Sequence, residues 1–237
     1  MSIIDLFFPR NVKCIFCRSE TKKFGICDNC LSKLEFIKEQ VCQKCGVSVN
    51  GKTKICIECK GKNFNFDRNY AVLDYDGDVR DKIIGFKQNG NKYIGEAFAW
   101  LIEHKYRELN LDDKIDIIIP MPINDKRLKE RGYNQSEVLS LELESTGKVN
   151  TSIIKRIKDT PHQTGLSREH REANLHGCFA VIDKKKIKGK NILIIDDIYT
   201  TGSTINECAS TLLKAGANTV TSLTLARAEI KKDTFIR

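Results

Sequence analysis

Two adjacent carboxylates, Asp196 and Asp197, stand just ahead of a run of hydroxyls around one glycine: Thr200, Thr201, Gly202, Ser203 and Thr204. A glycine-containing, hydroxyl-rich turn at the start of a helix makes an anion site. Its backbone N–H groups point outward, and the helix dipole favours negative charge. Capping alone needs one hydroxyl, and this turn has four. The two carboxylates would repel a phosphate, so their sensible partners are sugar hydroxyls or a divalent cation. Together the residues fit a sugar phosphate, with phosphate on the turn and ribose on the aspartates. Such a site must be held by a strand before it and a helix after it. The aliphatic run Ile192 to Ile195 predicts a buried parallel strand. Ile205, Leu212 and Leu213 mark the core face of the helix that follows.

A second chemistry lies in the first quarter of the chain. Eight of the ten cysteines form four C-x-x-C pairs: Cys14/Cys17, Cys27/Cys30, Cys42/Cys45 and Cys56/Cys59. Repeated pairs at this spacing are a metal signature, because each pair forms a knuckle on one tetrahedral ion. Two structural Zn²⁺ ions are the expectation. Iron–sulfur chemistry and disulfides are the rival readings, and a reducing cytosol disfavours disulfides. The simplest assignment gives one site to Cys14, Cys17, Cys27 and Cys30. The other then takes Cys42, Cys45, Cys56 and Cys59. An interleaved pairing is compatible with the same spacing.

The 237-residue chain has room for one medium domain and one small one. No apolar run reaches the length of a membrane span, so no membrane insertion is expected. The segment 1–10 lacks a basic region followed by a long apolar stretch, so a cytoplasmic protein without a signal peptide is the expectation. The formal charge is +9. Two four-thiolate zinc sites together carry −4 and bring that nearer +5, which weakens the case for nucleic acid from bulk charge. Residues 1–62 nonetheless carry Lys13, Arg18, Lys22, Lys23, Lys44, Lys52, Lys54, Lys60 and Lys62. These could track a phosphate backbone or could simply form a solvated surface. Phe16, Phe24 and Phe36 could stack on bases, but a small ribbon also needs them as core.

Gly46 to Thr53, GVSVNGKT, matches the phosphate-loop pattern G-x-x-x-x-G-K-[ST]. That pattern requires a strand before it and a helix after it. Here a cysteine knuckle stands on each side, so a hairpin turn between knuckles is expected instead. Cys178 and Cys208 stand alone, and Cys208 reads as a small core residue.

The cysteines stop near residues 60–66, which sets the expected domains at 1–62 and 63–237. With no long linker between them, the ribbon can pack on the larger part, which would survive loss of the ribbon if it has a core of its own. Strands are predicted at 70–75, 115–119 and 219–225, and helices at 79–88, 92–110 and 136–144. Strands alternating with helices predict an α/β domain with a largely parallel sheet. Ligands of such sheets sit at the carboxyl ends of strands, so Pro120–Pro122 and Asp196–Thr204 can face one pocket.

The 192–204 segment resembles the phosphoribosyl pyrophosphate (PRPP) motif of type I phosphoribosyltransferases, in which the turn holds the 5′-phosphate and the acidic pair holds the ribose hydroxyls. Over nearly the whole chain, the order of features is similar to the competence protein F (ComF/GntX) family. The double C-x-x-C ribbon comes first, then YDGDVRDKIIGFKQNG at 75–90 with Lys87. PMP at 120–122, Arg127 and RGYNQ at 131–135 follow. Next come Arg156, Thr160, Gln163, Leu166, Arg171, Asn174 and Phe179, and the acidic-pair motif closes the set. The resemblance implies a type I phosphoribosyltransferase-like parallel sheet flanked by helices, behind a small N-terminal zinc-ribbon domain.

It further implies PRPP as ligand, with Mg²⁺ on its pyrophosphate. Displacement at C1 passes through an oxocarbenium-like state, so protein help is positioning and stabilisation of the departing pyrophosphate. The candidate cations are Lys87, Arg127, Arg131, Arg156 and Arg171, each of which could instead be solvated or paired with Glu130 or Glu172. Residues 156–177 resemble a loop that covers substrate. His162, His170 and His176 lie in it, as a base or as plain loop polarity. Two functions are implied. One is a PRPP-binding accessory of DNA uptake in natural transformation. Its ribbon would contact single-stranded DNA or a partner such as a DNA-uptake helicase or another transformation protein. The alternative is an active transferase with an acceptor that no motif specifies.

Overall fold

The computed structural model describes residues 12–21, 25–37, 40–49, 53–88, 91–158 and 175–228. Lys22, Lys23, Phe24 and Lys52 lie outside the described residues. So do Thr160, His162, Gln163, Leu166, His170, Arg171, Glu172 and Asn174. In the ribbon, β1 (Val12–Lys13) pairs antiparallel with β2 (Glu20–Thr21), and the short α1 (Asp28–Leu31) follows. Then come β3 (Asn69–Asp74), α2 (Gly77–Phe86), α3 (Lys92–Glu108), β4 (Ile117–Pro120), α4 (Asp125–Arg131) and α5 (Gln135–Leu139). A small antiparallel pair is formed by β5 (Ile154–Arg156) and β6 (Phe179–Val181). The chain continues through α6 (Lys184–Ile187), β7 (Asn191–Tyr199), α7 (Ser203–Lys214) and β8 (Thr219–Arg227).

The main sheet has the order β3-β8-β7-β4, and every pair in it is parallel. Its central strands are aliphatic on both faces because both faces are covered. Leu193, Ile195, Leu223 and Leu225 face one apolar cluster, with α3; Ile192, Ile194 and Val220 face the other, with α7. β4 stops at Pro120, opposite Ile195, while β7 runs on beside β8 to Tyr199. Asp196 and Asp197 therefore lie on the strand rather than after it. β8 holds one edge of this extension, and β4 has already turned away from the other. The predicted helix 136–144 is broken at Ser140, whose hydroxyl donates to the Ser136 carbonyl at 2.8 Å, and Leu141–Thr146 continues as a 3₁₀ turn. Among the described residues no helix is long and apolar enough to cross a membrane.

The ribbon is built into the sheet. Ile37 N–H donates to the Val72 carbonyl at 2.9 Å, and Phe36 bridges Leu73 antiparallel, so this segment extends the sheet at β3. Lower down, Asn69 N–H donates to the Lys44 carbonyl and its side-chain amide donates to the Cys45 carbonyl, at 2.8 and 3.1 Å. Gly46, at φ +75°, lies so close that a Cβ would sit 2.8 Å from the Asn69 carbonyl oxygen. This glycine allows the knuckle to pack on β3, and residues 50–52 of the expected turn lie outside the described residues.

The ribbon's side chains take part in this packing. Phe16 packs edge-on against Phe98 at 6.3 Å and Phe36 packs on the same core, so neither ring is a free stacking platform. Lys44 donates to the Asp67 carbonyl at 3.0 Å. Ribbon residues also complete both cores: Ile15 and Ile26 join Leu73 and Phe98, while Cys42, Cys45 and Val47 join Phe66, Ile194 and Tyr199. The ribbon and the larger part thus share their buried clusters.

Candidate functional site

The acidic pair sits at the carboxyl end of β7, where β4 has turned away. Met121 N–H still donates to the Ile195 carbonyl at 2.8 Å, which places the 120–122 turn against the aspartates. The Asp196 carboxylate accepts from the Ser136 hydroxyl at 3.2 Å and from Asp197 N–H at 2.9 Å. Burial and the neighbouring Asp197 charge push the Asp196 carboxyl up to about 7, against the opposing pull of those donors and of Lys87. Two like charges this close call for a ligand that donates hydrogen bonds or brings positive charge.

Asp197 is already met by a cation. Lys87 Nζ lies 2.7 Å from Asp197 Oδ2. Lys87 caps the C-terminus of α2, and that end is fixed by Tyr133, whose hydroxyl donates to the Phe86 carbonyl and whose ring stacks on Phe86 at 5.8 Å. Gly95 lets α3 approach the Phe86 ring, onto which a Cβ there would project. The RGYNQ segment thus serves the site from two directions. Tyr133 sets Lys87, and Ser136, one residue past the segment, holds Asp196.

Beyond Tyr199 the chain turns through Thr200 and Thr201 into Gly202, which caps α7 in the left-handed conformation at φ +79°. Thr201 and Ser203 hydroxyls share a 2.9 Å hydrogen bond, and Ser203 and Thr204 open the helix. Gly202 offers no capping side chain, and the Ser203 N–H makes only a long 3.4 Å bond to the Thr201 hydroxyl, so this helix start suits an anion. A Cβ at Gly202 would land on the Tyr199 hydroxyl, so only glycine passes there.

The other candidate cations are placed as follows. Arg127 lies in the first turn of α4, its N–H donating to the Asn124 carboxamide oxygen at 2.8 Å. Arg131 ends the same helix, its guanidinium 2.8 Å from Gln135 Oε1. Arg156, on β5, stacks over Phe179 at 5.7 Å. Arg171 lies outside the described residues. His176 is described, and its carbonyl accepts from Lys158 at 3.0 Å. Cys178 and Cys208 are buried core thiols.

The eight paired cysteines gather into two groups, Cys14, Cys17, Cys27, Cys30 and Cys42, Cys45, Cys56, Cys59. This is the consecutive assignment. Within each group the sulfurs lie within 4.8 Å of one another, and Cys17–Cys27 and Cys45–Cys56 are 3.6 Å apart. Four Zn–S bonds of about 2.3 Å in a tetrahedron place sulfurs roughly 3.8 Å apart. The paired cysteines stand in fours, as metal ligands do, and not as bonded pairs. The packed thiols pull in opposite directions: burial and its neighbours push Cys30 up to about 12, while hydrogen bonds from Ser19 and its cysteine neighbours bring Cys17 down to about 6. A bound divalent cation would deprotonate all four ligands alike. Cys56 N–H donates to Cys42 Sγ at 3.3 Å, as a knuckle backbone does. Both groups fit a zinc ribbon.

Ser136 and Tyr199 are the site residues that sequence reasoning missed. Ser136 adjoins a recognised segment, which was a usable signal. Tyr199 had none, since an aromatic at the end of an aliphatic strand reads as core.

Comparison with known proteins agrees with both parts. A model of the double zinc ribbon domain matches residues 3–60, and one of the phosphoribosyl transferase domain matches residues 91–234. Competence protein F of Haemophilus influenzae is 29% identical over 226 residues, spanning 92% of this chain and 98% of that protein. Competence protein ComFC of Bacillus subtilis is 28% identical, over 85% of this chain and 84% of that one. The DNA utilization protein YhgH of Escherichia coli O6:H1 is 30% identical, over 86% of this chain and 91% of that protein.

Proposed function

We propose, from the premise that this chain belongs to the competence protein F family, a phosphoribosyl transferase domain preceded by a double zinc ribbon, that it binds PRPP and acts in the handling of incoming DNA. The observation that carries the ligand is the pairing of an anion turn at Gly202 with the acidic pair of β7. Phosphate sits on the turn N–H groups, with Thr200, Thr201, Ser203 and Thr204 hydroxyls around it. The ribose diol donates to Asp196 and Asp197. Mg²⁺ arriving with PRPP would neutralise its pyrophosphate. The relatives' names speak of competence and DNA utilization rather than of a transferase, which favours binding over transfer to an acceptor.

Lys87 gives this reading a specific test. Its ammonium pairs with Asp197. Once the ribose occupies the aspartates, the ammonium is free to meet the pyrophosphate, beside Arg127, Arg131, Arg156 and Arg171 as further proposed contacts. Lys87→Met should weaken PRPP about tenfold, roughly 1.4 kcal/mol, and leave ribose 5-phosphate nearly unchanged. Calorimetry with the two ligands checks it. Equal losses for both would mean that Lys87 serves only the aspartates.

The ribbon is the proposed contact for single-stranded DNA or a transformation partner such as the uptake helicase. Support comes from exposed Lys13, Lys54 and Lys60. Phosphate contacts release counterions, so affinity should fall steeply with salt. Replacing Lys22, Lys23, Lys52 and Lys54 by Ala should weaken single-strand binding severalfold and leave PRPP binding intact. Fluorescence anisotropy at two salt levels reads this. Absence of binding at low salt, with both zincs present, would leave the ribbon as a structural or protein-docking module.

A further inference from the structure

We infer that Arg227 ties the second cysteine cluster to the phosphate turn, so that zinc at one and phosphate at the other hold each other in place. The inference rests on the turn being the phosphate site proposed above.

Arg227 ends β8 and is 2% exposed. Strand register sets it beside Tyr199 of β7, and its guanidinium lies over the Tyr199 ring at 4.9 Å from the ring centre. Nη2 stands 3.8 Å from Cys45 Sγ, while Nε and Nη1 are buried without a hydrogen-bond partner. Among the described residues no carboxylate pairs with it. A buried guanidinium left without a counter-charge is costly. The group able to supply one is the cluster itself. Four thiolates around Zn²⁺ carry a net −2, and Cys45 is the ligand that faces the arginine. With the metal gone Cys45 is no longer held in place, and the guanidinium loses the group it rests on.

The other end of the linkage is steric. Tyr199 lies between Arg227 on one side and the turn on the other, with its hydroxyl at the spot a Gly202 Cβ would occupy. Phe66 closes the ring edge-on at 6.1 Å, leaving it little room to shift alone. A guanidinium that must find water or another partner would move the tyrosine that forms the floor under Gly202. By linkage, a phosphate that fixes the turn holds Arg227 on the cluster and so retains the metal. Arg227 is a positioning residue in this account, acting on the ligand through Tyr199.

The test uses the full chain loaded with two zincs and a chromogenic zinc chelator, with ribose 5-phosphate as probe because it needs no Mg²⁺. The first cluster is partly exposed and should release zinc in a fast phase. The second is buried throughout and should give the slow one. Saturating ribose 5-phosphate should slow the slow phase at least fivefold and leave the fast phase unchanged. Arg227→Met should speed the slow phase at least tenfold and weaken ribose 5-phosphate at least fivefold. Arg227→Lys should restore zinc retention, because it returns a positive charge, but not ligand affinity, because an ammonium offers no planar face to Tyr199. An arginine of merely structural importance would not separate those two readouts. Wild-type protection by the ligand needs no variant, so the inference stays testable if Arg227→Met fails to fold. Calorimetry that shows the ligand bound while the slow phase ignores it overturns the coupling alone. A flat titration of the wild-type chain, recorded before chelator is added, overturns the phosphate site and the coupling with it.

Discussion

Replacing Cys45 by Ser should unfold far more than the ribbon. The four thiols of its cluster are at most 9% exposed and share a core with Phe66, Ile194 and Tyr199. Structural zinc contributes about 10–16 kcal/mol in zinc-finger peptides, and a whole domain is stable by only roughly 5–15 kcal/mol. Losing that site, and with it the counter-charge of Arg227, exceeds the margin. The expected result is one cooperative loss of helix and sheet signal at a temperature well below wild type, with fewer than two zincs retained. Cys17→Ser should be milder, because Cys17 is exposed whereas Cys45 is buried. Circular dichroism melts with metal analysis distinguish the two. A Cys45→Ser chain that melts like wild type would show that the sheet stands without the ribbon.

Gly202→Val carries the second large effect. Valine at φ +79° is strained, and its side chain would run into Tyr199 directly beneath. The turn must open, and its N–H groups no longer converge. PRPP affinity should fall at least a hundredfold, about 2.7 kcal/mol or more, with a drop of several degrees in melting temperature. Gly202→Ala is the gentler companion and should lie between valine and wild type in both readouts. Undiminished PRPP binding by the valine variant would move the phosphate away from this turn.

The chemistry-bearing residues were legible because local spacing carries them. The cysteine pairs, the hydroxyl turn and the helix behind it are all encoded within a few residues of one another. What escaped depends on contacts distant in sequence. Strand β7 runs through both aspartates because β8 supplies hydrogen-bond partners as far as Tyr199, whereas carboxylates followed by hydroxyls read locally as a turn. The Lys87–Asp197 pair joins residues more than a hundred positions apart, and nothing near Lys87 names its partner. Asn69, buried at the start of β3, shows no sign in sequence that it will bind the Cys45 carbonyl. Arg227 reads as an ordinary polar strand end until the cluster and Tyr199 are packed around it. The predicted helix 136–144 failed at one serine, whose hydroxyl competes for a backbone carbonyl.

The central claim is that Asp196 and Asp197, together with the Gly202 turn, bind PRPP. Its most direct test is calorimetric titration of PRPP with Mg²⁺ into the wild-type chain and into the Asp196→Asn, Asp197→Asn double variant. Asparagine keeps the size of each side chain and removes its charge, so the unliganded fold should persist, with two zincs bound as a check. The account predicts saturable binding of one PRPP per wild-type chain and none to the double variant. Binding of equal strength in both would contradict it.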